Sequence, residues 1–266
     1  MQDEIHGTKL DDYKHDPQYE RRVVVFYDVL GWRDQIAKAG TDRKKIGDLR
    51  RLILQLVRTL QLRTNWNISA STFSDNIVIS QPVCKHTPAL IGHLAIAQIA
   101  SAINGFLLRG GITIGEIVHD DEAVFGPALN RAYELESKIA HFPRIVLDKN
   151  VLAEIGDLGE LPVEEDGVVF LDPFRLEFIQ FIKNGEQAAT REQVLEAGLP
   201  YPQGKSIKSI WNDDVLKIIL EQLKPSMRTE PLSDDAWNKL AWLYDRIATQ
   251  LGVPLANAFP RFQAKQ

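Results

Sequence analysis

The sequence contains a single cysteine, Cys84, among 266 residues, so the chain has no internal disulfide. It also lacks an excess of positive charge, because 36 Asp and Glu residues outnumber 31 Lys and Arg residues and give a formal net charge of −5. That balance argues against a protein that coats nucleic acid or an anionic membrane. Residues 1–22 are polar and charged, without the apolar stretch of a signal peptide. We therefore expect a cytoplasmic protein that binds neither nucleic acid nor membrane.

The chain also lacks an apolar run that is both long and uninterrupted. Residues 89–108 are mostly apolar and about long enough to span a bilayer. Polar side chains recur along this run at helical spacing: His93, Gln98, Ser101 and Asn104. This pattern predicts a buried amphipathic helix rather than a lipid-facing one.

One apolar stretch near the start predicts a strand that ends on a carboxylate. Residues 23–27 are apolar or aromatic and largely β-branched, which is typical of a strand buried on both faces. The strand ends at Asp28, and Gly31 allows a tight turn into a helix whose first amides carry partial positive charge. Asp28 suits a metal ion that holds phosphates, but taken alone it is better explained as a helix cap.

A second carboxylate, Asp75, lies in a predicted hairpin turn between strands at 66–73 and 77–80. If this turn lies beside the end of the first strand, Asp28 and Asp75 repel each other unless a cation lies between them. Two divalent ions with oxygen ligands would resolve the repulsion and are the usual device for in-line phosphoryl chemistry. An ordinary turn role for Asp75 explains the same residues equally well.

The predicted elements follow the order β-α-α-β-β-α-β-α-β up to about residue 148. This order describes an α+β fold, an elaborated ferredoxin-like layer with a mainly antiparallel sheet and helices on one face. Residues 119–122, His-Asp-Asp-Glu, are interpreted as an acidic, solvated hairpin tip. We expect an N-terminal arm at 1–22, one domain at 23–155 and a mostly helical C-terminal extension at 156–266.

The extension is predicted from its helix signals. Residues 156–166 are expected to form a surface loop, followed by a short strand at 168–171. Three helices follow: one with a capping box at Thr190 and Gln193 and a stop at Gly198, one from Asn212 to Pro225, and one from Ser233 to Gly252.

Four motifs in series resemble class III nucleotide cyclases. Residues 26–32, Phe-Tyr-Asp-Val-Leu-Gly-Trp, are similar to the F-x-D-I-x-G-F motif of that family, and residues 73–76, Phe-Ser-Asp-Asn, to its Gly-Asp hairpin with Ser74 in place of glycine. Residues 108–116 are similar to its R-x-G-I-x-x-G-E strand, and residues 125–136 to its G-x-x-V-N-x-A-A-R-L-E helix. The resemblance covers residues 23–148 and implies a class III cyclase domain.

The resemblance also implies roles for particular residues. Asp28 and Asp75, helped by the Val29 carbonyl, would bind two Mg²⁺ or Mn²⁺ ions. Arg109 would anchor the triphosphate, and Asn130 would hold the ribose or transition state across the interface of a homodimer with shared sites. Leu30 and Gly31 would be further nucleotide-binding residues. Asn130 and Arg109 also have ordinary explanations, as a helix-start residue and a surface charge.

The departures from the family pattern concern the base and the transition state. Where adenylyl cyclases carry a Lys and an Asp that read the purine, this chain has Ser71 and Ala123. In lacking both charged base-reading groups, this chain resembles the pyrimidine cyclases of Pycsar antiphage defence, which implies a base other than a purine. The transition-state arginine of the family lies four residues after the asparagine, a position that Glu134 occupies here. The nearest arginine, Arg131, follows Asn130 by one residue and would point about 100° away from Asn130 on a helix. Either Arg131 takes the transition-state role, or another cation does, or the enzyme is slow or inactive.

The sequence therefore predicts a cyclase that converts UTP or CTP to the 3′,5′-cyclic nucleotide and pyrophosphate. The product would act on a separate downstream effector. Two alternatives remain: a purine (ATP or GTP) class III cyclase with unusual base contacts, and an inactive cyclase-like module that binds nucleotide. Glu134 is the residue that favours the inactive module.

Overall fold

The computed structural model describes residues 18–61, 66–184, 214–229 and 232–258. Three predicted features lie outside these residues: residues 1–17 of the arm predicted at 1–22, the capping box at Thr190 and Gln193 with its Gly198 stop, and the cap at Asn212. The end of the predicted arm is not separate from the domain, because the first strand begins at Glu20. The strands of the described chain are β1 (Glu20–Leu30), β2 (Ser69–Phe73), β3 (Asn76–Pro82), β4 (Leu107–His119), β5 (Val124–Phe125), β6 (Ile145–Leu147), β7 (Pro162–Glu165) and β8 (Val168–Leu171).

Eight α-helices accompany these strands in the described part of the chain. They are α1 (Trp32–Ala39), α2 (Arg43–Gln61), α3 (Thr87–Ile103), α4 (Pro127–Glu134), α5 (Lys149–Ile155), α6 (Leu176–Asn184), α7 (Asp214–Thr229) and α8 (Asp234–Leu251). A π-helical segment, Leu135–Ala140, continues α4, and a short 3₁₀ turn, Ala256–Ala258, follows α8. The sequence of residues 129–140 predicts a helix, which is present, but its second half is wound more widely than an α-helix.

The strands form one sheet in the order β2-β3-β1-β4-β6-β8-β7, with β5 paired to the far end of β4. All pairings are antiparallel except that of β4 with β6. The predicted α+β class with a mainly antiparallel sheet is confirmed. The central position of β1 explains its continuous apolar run, because residues 23–27 are buried on both faces of the sheet.

The two faces of the sheet carry helical layers of different size. Alternate residues of β1, such as Val25 and Tyr27, join a large core with α2, α3, α7 and α8. The residues between them, Val24 and Phe26, pack instead with Ala128 and Ala132 of α4. The expectation of helices on one face is therefore incomplete, because α4 and the π-helical segment cover part of the second face.

Gly111 of β4 lets α4 and the π-helical segment approach this second face closely. A Cβ atom at Gly111 would lie 2.4 Å from the Ala132 carbonyl oxygen and 2.5 Å from Leu135 Cβ. We expect Gly111→Ala to lower the free energy of unfolding by about 1–3 kcal/mol, measured by urea denaturation, because the helix must shift. Gly47→Ala is the control: nothing lies within 4 Å of a Cβ there, so this helical glycine should gain stability. Equal stability of the two variants would contradict this explanation.

The predicted extension contributes to the same sheet and core. The loop predicted at 156–166 contains strand β7, and β8 is found at the predicted residues. Helix α7 does not stop at Pro225 but continues through it to Thr229, with Leu223 and Met227 buried on either side. The start of α8 is as predicted, because the Ser233 side chain accepts a hydrogen bond from the Ala236 amide, and Gly252 ends the helix in the left-handed region. None of the helices within the described ranges has the length and apolar character needed to cross a membrane.

Candidate active site

The candidate site begins where β1 leaves the sheet. Asp28 belongs to the same face of β1 as Val24 and Phe26, and its side chain is 18% exposed. Gly31 then takes a left-handed conformation, with φ of 74°, and the Gly31 carbonyl accepts from the Gln35 amide as α1 begins. The N-cap of α1 is Gly31 and no side chain caps this helix, so the explanation of Asp28 as a helix cap is wrong. The strand also runs two residues beyond its predicted end at Asp28, to Leu30, which is paired with Leu107. Both residues therefore lie close to Asp28 at the turn into α1, and their nucleotide contacts stay a prediction.

Asp75 lies in the turn between β2 and β3, close to Asp28. The two carboxyl groups lie close enough for Asp75 to act on the ionisation of Asp28. Burial raises the pKa of Asp28; the Arg109 guanidinium opposes this shift, and the negative charge of Asp75 adds to it. The structure thus brings together two acidic groups that are far apart in the chain.

Arg109 is engaged by carboxylates on two sides. It lies opposite Asp28 in the β1–β4 pairing, and its Nη2 donates to Asp28 Oδ2 at 3.1 Å. Its Nε donates to Glu136 Oε1 from the other side, and Glu136 is only 3% exposed on the π-helical segment. Burial raises the pKa of Glu136, and the Arg109 charge partly opposes that shift. The surface-charge explanation of Arg109 is wrong, and the predicted phosphate contact would compete with these two carboxylates.

The residues at this site fit a divalent cation with oxygen ligands. Asp28 and Asp75 offer hard carboxylate oxygens, and a cation between them would replace their repulsion with attraction. Val29 is 1% exposed as a whole residue, so its backbone carbonyl, the predicted ligand, is also almost fully buried. Across the four described ranges, no three His, Cys, Asp or Glu side chains form a protein-only metal cage. Two carboxylates, with water and substrate phosphate as the other ligands, are the usual arrangement for Mg²⁺.

Arg131 is held in a structural ion pair in this chain. Its Nε and Nη2 each donate to one carboxylate oxygen of Asp148 at 2.9 Å, and its Nη1 donates to Glu134 Oε2 at 3.0 Å. Asp148 also accepts from Thr113 and caps α5, so this pair ties α4 to β4 and α5. The prediction that Arg131 stabilises the transition state gains no support from these contacts.

Asn130 lies on the exposed side of α4. The neighbours Ala128 and Ala132 on this helix face the sheet and are buried, whereas Asn130 is exposed. Its backbone amide donates to the Gly126 carbonyl at 3.2 Å in the first turn of the helix. Its side chain is therefore accessible to a ligand or to a second subunit.

Ser71, one of the predicted base-reading positions, contacts a histidine. Ser71 Oγ lies 3.0 Å from His119 Nε2, and Ser80 Oγ lies 2.9 Å from His119 Nδ1. His119 is 8% exposed and Ser80 is fully buried. Ala123 is exposed in the turn that follows His119, where the Asp120 amide donates to the Ala123 carbonyl at 3.1 Å. The interpretation of residues 119–122 as a wholly solvated tip is wrong for His119.

The environment of His119 predicts a loss of stability in acid. Burial, and next the Arg22 guanidinium, lower the pKa of His119 to about 4, while Asp120 opposes the shift. In the unfolded chain its pKa returns to about 6.5. The unfolded state therefore binds more protons between pH 6.5 and 4, so stability falls as the pH decreases through this window.

We expect the wild-type protein to lose about 3 kcal/mol more unfolding free energy than His119→Asn between pH 7 and pH 4. Urea unfolding at half-unit pH intervals measures the difference. Using the difference between the two proteins removes the contributions of the other titrating groups. Identical pH dependences would contradict a buried, neutral His119.

Three side chains at this face were not assigned roles from the sequence: Glu136, Asp148 and His119. Glu136 ends the fourth motif, but nothing local indicates that it turns inward to Arg109. His119 shares the alternation of Gly115 and Ile117 on β4, so strand periodicity was the signal that placed it on the buried face. Asp148 follows β6 at the start of α5, a position typical of a helix cap.

The fold and site define an α+β protein that carries a paired-aspartate site at the end of its central strand. Neither the scan against protein-family models nor the search of curated proteins gives a match. Solved structures similar to the chain include the adenylyl cyclase CyaB from P. aeruginosa, with 16% identity, a TM-score of 0.41 and coverage of 59% of this chain and 95% of that chain. The monomeric guanylyl cyclase domain of RhoGC from the fungus Blastocladiella emersonii has 16% identity, a TM-score of 0.45 and coverage of 57% of this chain and 94% of that chain. An adenylate/guanylate cyclase/hydrolase from Silicibacter pomeroyi has 17% identity, a TM-score of 0.40 and coverage of 58% of this chain and 95% of that chain.

Proposed function

We propose that the protein is a nucleotide cyclase that converts UTP or CTP to the 3′,5′-cyclic nucleotide and pyrophosphate. The observation that carries this proposal is the convergence of the Asp28 and Asp75 carboxyl groups at the end of β1. Elementary electrostatics favours a cation between two such groups, and divalent cations are suited to binding a triphosphate. The four motifs that resemble class III cyclases include both aspartates.

The reaction is an intramolecular displacement at phosphorus. The 3′-hydroxyl oxygen forms a bond to the α-phosphorus of the same nucleotide. The bond from that phosphorus to the oxygen bridging it to the β-phosphate breaks, and the hydroxyl proton is released as pyrophosphate leaves. Bound Mg²⁺ or Mn²⁺, held by Asp28, Asp75 and the Val29 carbonyl, would lower the pKa of the hydroxyl and neutralise phosphate charge. The chain itself would contribute mainly positioning, with Arg109 turning from Asp28 towards the triphosphate.

Pyrimidine use is supported by the side chains at the two base-reading positions. Ser71 and Ala123 are small and uncharged, so they cannot supply the charged contacts expected for a purine. The proposed biological role is the production of a second messenger in antiphage defence, in the cytoplasm, with a separate effector as its receiver. This role rests on the sequence resemblance.

A homodimer with shared sites is part of the proposal. Phe73 is 82% exposed at the tip of the β2–β3 hairpin, and Tyr133 is 54% exposed on α4, where its ring packs edge-on against Phe26. Large exposed aromatic rings on the face that carries Asp28 are the kind of surface that a second subunit covers. Analytical ultracentrifugation with and without nucleotide measures the association.

One experiment tests the activity and the base together. Purified protein is incubated with Mn²⁺ and each of the four nucleoside triphosphates, and the products are identified by mass spectrometry. Cyclic UMP or cyclic CMP as the main product supports the proposal, whereas cyclic AMP or cyclic GMP would replace it with a purine cyclase.

The second candidate function is a module that binds nucleotide without chemistry. The contacts of Arg109 with Asp28 and Glu136, and of Arg131 with Asp148, favour this candidate because both arginines are already paired. It predicts nucleotide binding by calorimetry with no product from any of the four triphosphates.

A further inference from the structure

Arg109 lies between a predicted metal ligand and a buried carboxylate, and its two contacts are unequal. Its Nε donates to Glu136 Oε1 at 2.5 Å, and Nη2 of the same guanidinium also lies against that oxygen. From the other side, Nη2 donates to Asp28 Oδ2 at 3.1 Å. Glu136 therefore binds two nitrogens of the guanidinium, whereas Asp28 binds one, and the Nε contact is kept if Nη2 leaves Asp28.

The position of Glu136 is set by packing against β4. Glu136 is the second residue of the π-helical segment, and its side chain is 4% exposed. A Cβ atom on Gly111 would lie 3.2 Å from the Glu136 backbone nitrogen. Gly111 follows Arg109 by two residues on β4, so the backbone of Glu136 lies against the strand that carries Arg109. Glu136 is thus held beside Arg109 by the fold and not by Asp28.

Arg109 is the cation that acts most strongly on both carboxylates among the described residues. At Asp28 the other charge is that of Asp75, which is negative. At Glu136 the charge of Lys239 acts more weakly, and the Lys239 amine donates to Asp235 at 2.6 Å. Without a metal ion, Arg109 is therefore the counter-charge of the paired-aspartate site.

We infer that Glu136 is a positioning residue that keeps Arg109 in the site when Asp28 ligates a divalent cation. This inference rests on the metal site of the proposed function. Arg109 Nη2 and a cation compete for the same Asp28 oxygen and repel each other, so the contact between Nη2 and Asp28 is lost. The charge-assisted hydrogen bond from Nε to Glu136 remains and holds the guanidinium beside the site. Glu136 acts through Arg109 alone.

The first test uses neither metal nor nucleotide. Asp28→Asn removes the charge that a bound cation would neutralise, and the ¹H–¹⁵N resonance of Arg109 Nε reports the hydrogen bond to Glu136. The resonance is assigned by its absence in Arg109→Lys. We expect the same slow exchange with water in wild-type and Asp28→Asn protein, and about tenfold faster exchange in Glu136→Gln, where the acceptor is neutral. Loss of the resonance in Asp28→Asn would overturn the inference and does not bear on the proposed cyclase.

The second test measures Mn²⁺ affinity without nucleotide, from the electron paramagnetic resonance signal of free Mn²⁺. We expect Glu136→Gln to bind Mn²⁺ about tenfold more weakly, because Arg109 is then held by Asp28 as its one remaining carboxylate partner. The control is Glu134→Gln, which removes the same charge two residues away. Glu134 pairs with Arg131 and Lys138 instead, so this variant should keep the wild-type affinity.

The deciding variant is the double substitution Arg109→Met with Glu136→Gln. It removes one charge of each sign, so the net charge of the site is that of the wild-type protein. We expect it to bind Mn²⁺ about tenfold more tightly than the wild-type protein, because no guanidinium competes for Asp28. A net-charge effect alone would give equal affinities, and a purely structural role for the ion pair would not raise the affinity.

The outcomes separate the inference from the proposed function. Wild-type Mn²⁺ affinity in Glu136→Gln, or in the double variant, overturns the inference alone, because the metal site is intact. Absence of Mn²⁺ binding by the wild-type protein and all variants overturns the metal site, and with it both the inference and the proposed cyclase. Circular dichroism checks the fold of each variant, and the resonance of Arg109 Nε decides the inference even if the double variant does not fold.

Discussion

We expect Asp28→Asn and Asp75→Asn each to lower turnover of the preferred triphosphate by about 1,000-fold. Either change removes one of two carboxylates that converge on the same point, and with it the charge needed to hold a divalent cation there. Initial rates of cyclic nucleotide formation at saturating Mn²⁺ measure the effect. The expected loss corresponds to several kcal/mol of transition-state stabilisation, the usual contribution of a catalytic metal.

The matched control is Asp34→Asn. Asp34 is an exposed acidic residue in the first turn of α1, a few residues beyond Asp28, and should leave turnover unchanged. Asp75→Asn should also retain the wild-type fold, because it removes a like charge from beside Asp28. If both site variants turn over substrate at the wild-type rate, the paired-aspartate site is not catalytic and the cyclase proposal fails.

The second large effect is expected at the junction between α8 and the sheet. Arg246 Nε donates to Asp172 Oδ2 at 2.8 Å, and its two terminal nitrogens donate to Glu165 at 3.0 and 2.6 Å. Its guanidinium carbon also lies 5.0 Å from the ring centroids of Phe170 and Trp242. Because Asp172 is only 2% exposed, Arg246→Met leaves a buried carboxylate without the guanidinium that donates to it, and the charge of Arg175 acts on Asp172 more weakly.

We expect Arg246→Met to lower the free energy of unfolding by about 3–5 kcal/mol at pH 7, measured by urea denaturation. Burial already raises the pKa of Asp172, and Arg246 opposes that shift. Losing Arg246 raises the pKa further, so the unfolded state releases its proton at lower pH than the folded state. The destabilisation should therefore be larger at pH 8 than at pH 5.

Arg175→Met is the control for this prediction. Its ion pairs with Glu160 and Glu177, at 3.6 and 3.5 Å, involve carboxylates that are 75% and 56% exposed. Such surface pairs contribute at most about 1 kcal/mol. Similar losses for Arg246→Met and Arg175→Met would show that burial of Asp172 is not what makes the Arg246 contact important.

The elements that the sequence predicted well are those with local signals. The apolar run at 23–27, the turn at Gly31, and the Ser233 cap and Gly252 stop of α8 depend on neighbouring residues only. The failures have tertiary causes. Helix α7 tolerates Pro225 because buried residues around it pack into the large core, and β7 forms because β8 provides a partner for a polar segment.

The sequence by itself determined that an acidic residue lies near the end of a buried strand and that another lies in a hairpin turn. Periodicity and turn chemistry are short-range properties, so both positions could be read from the chain. Only the tertiary structure decided what these and the neighbouring side chains contact. Arg109 meets Glu136, Arg131 meets Asp148 and Ser71 meets His119 across 27, 17 and 48 residues of chain. Such pairs depend on strand order and helix placement, which bring distant residues to one face of the sheet.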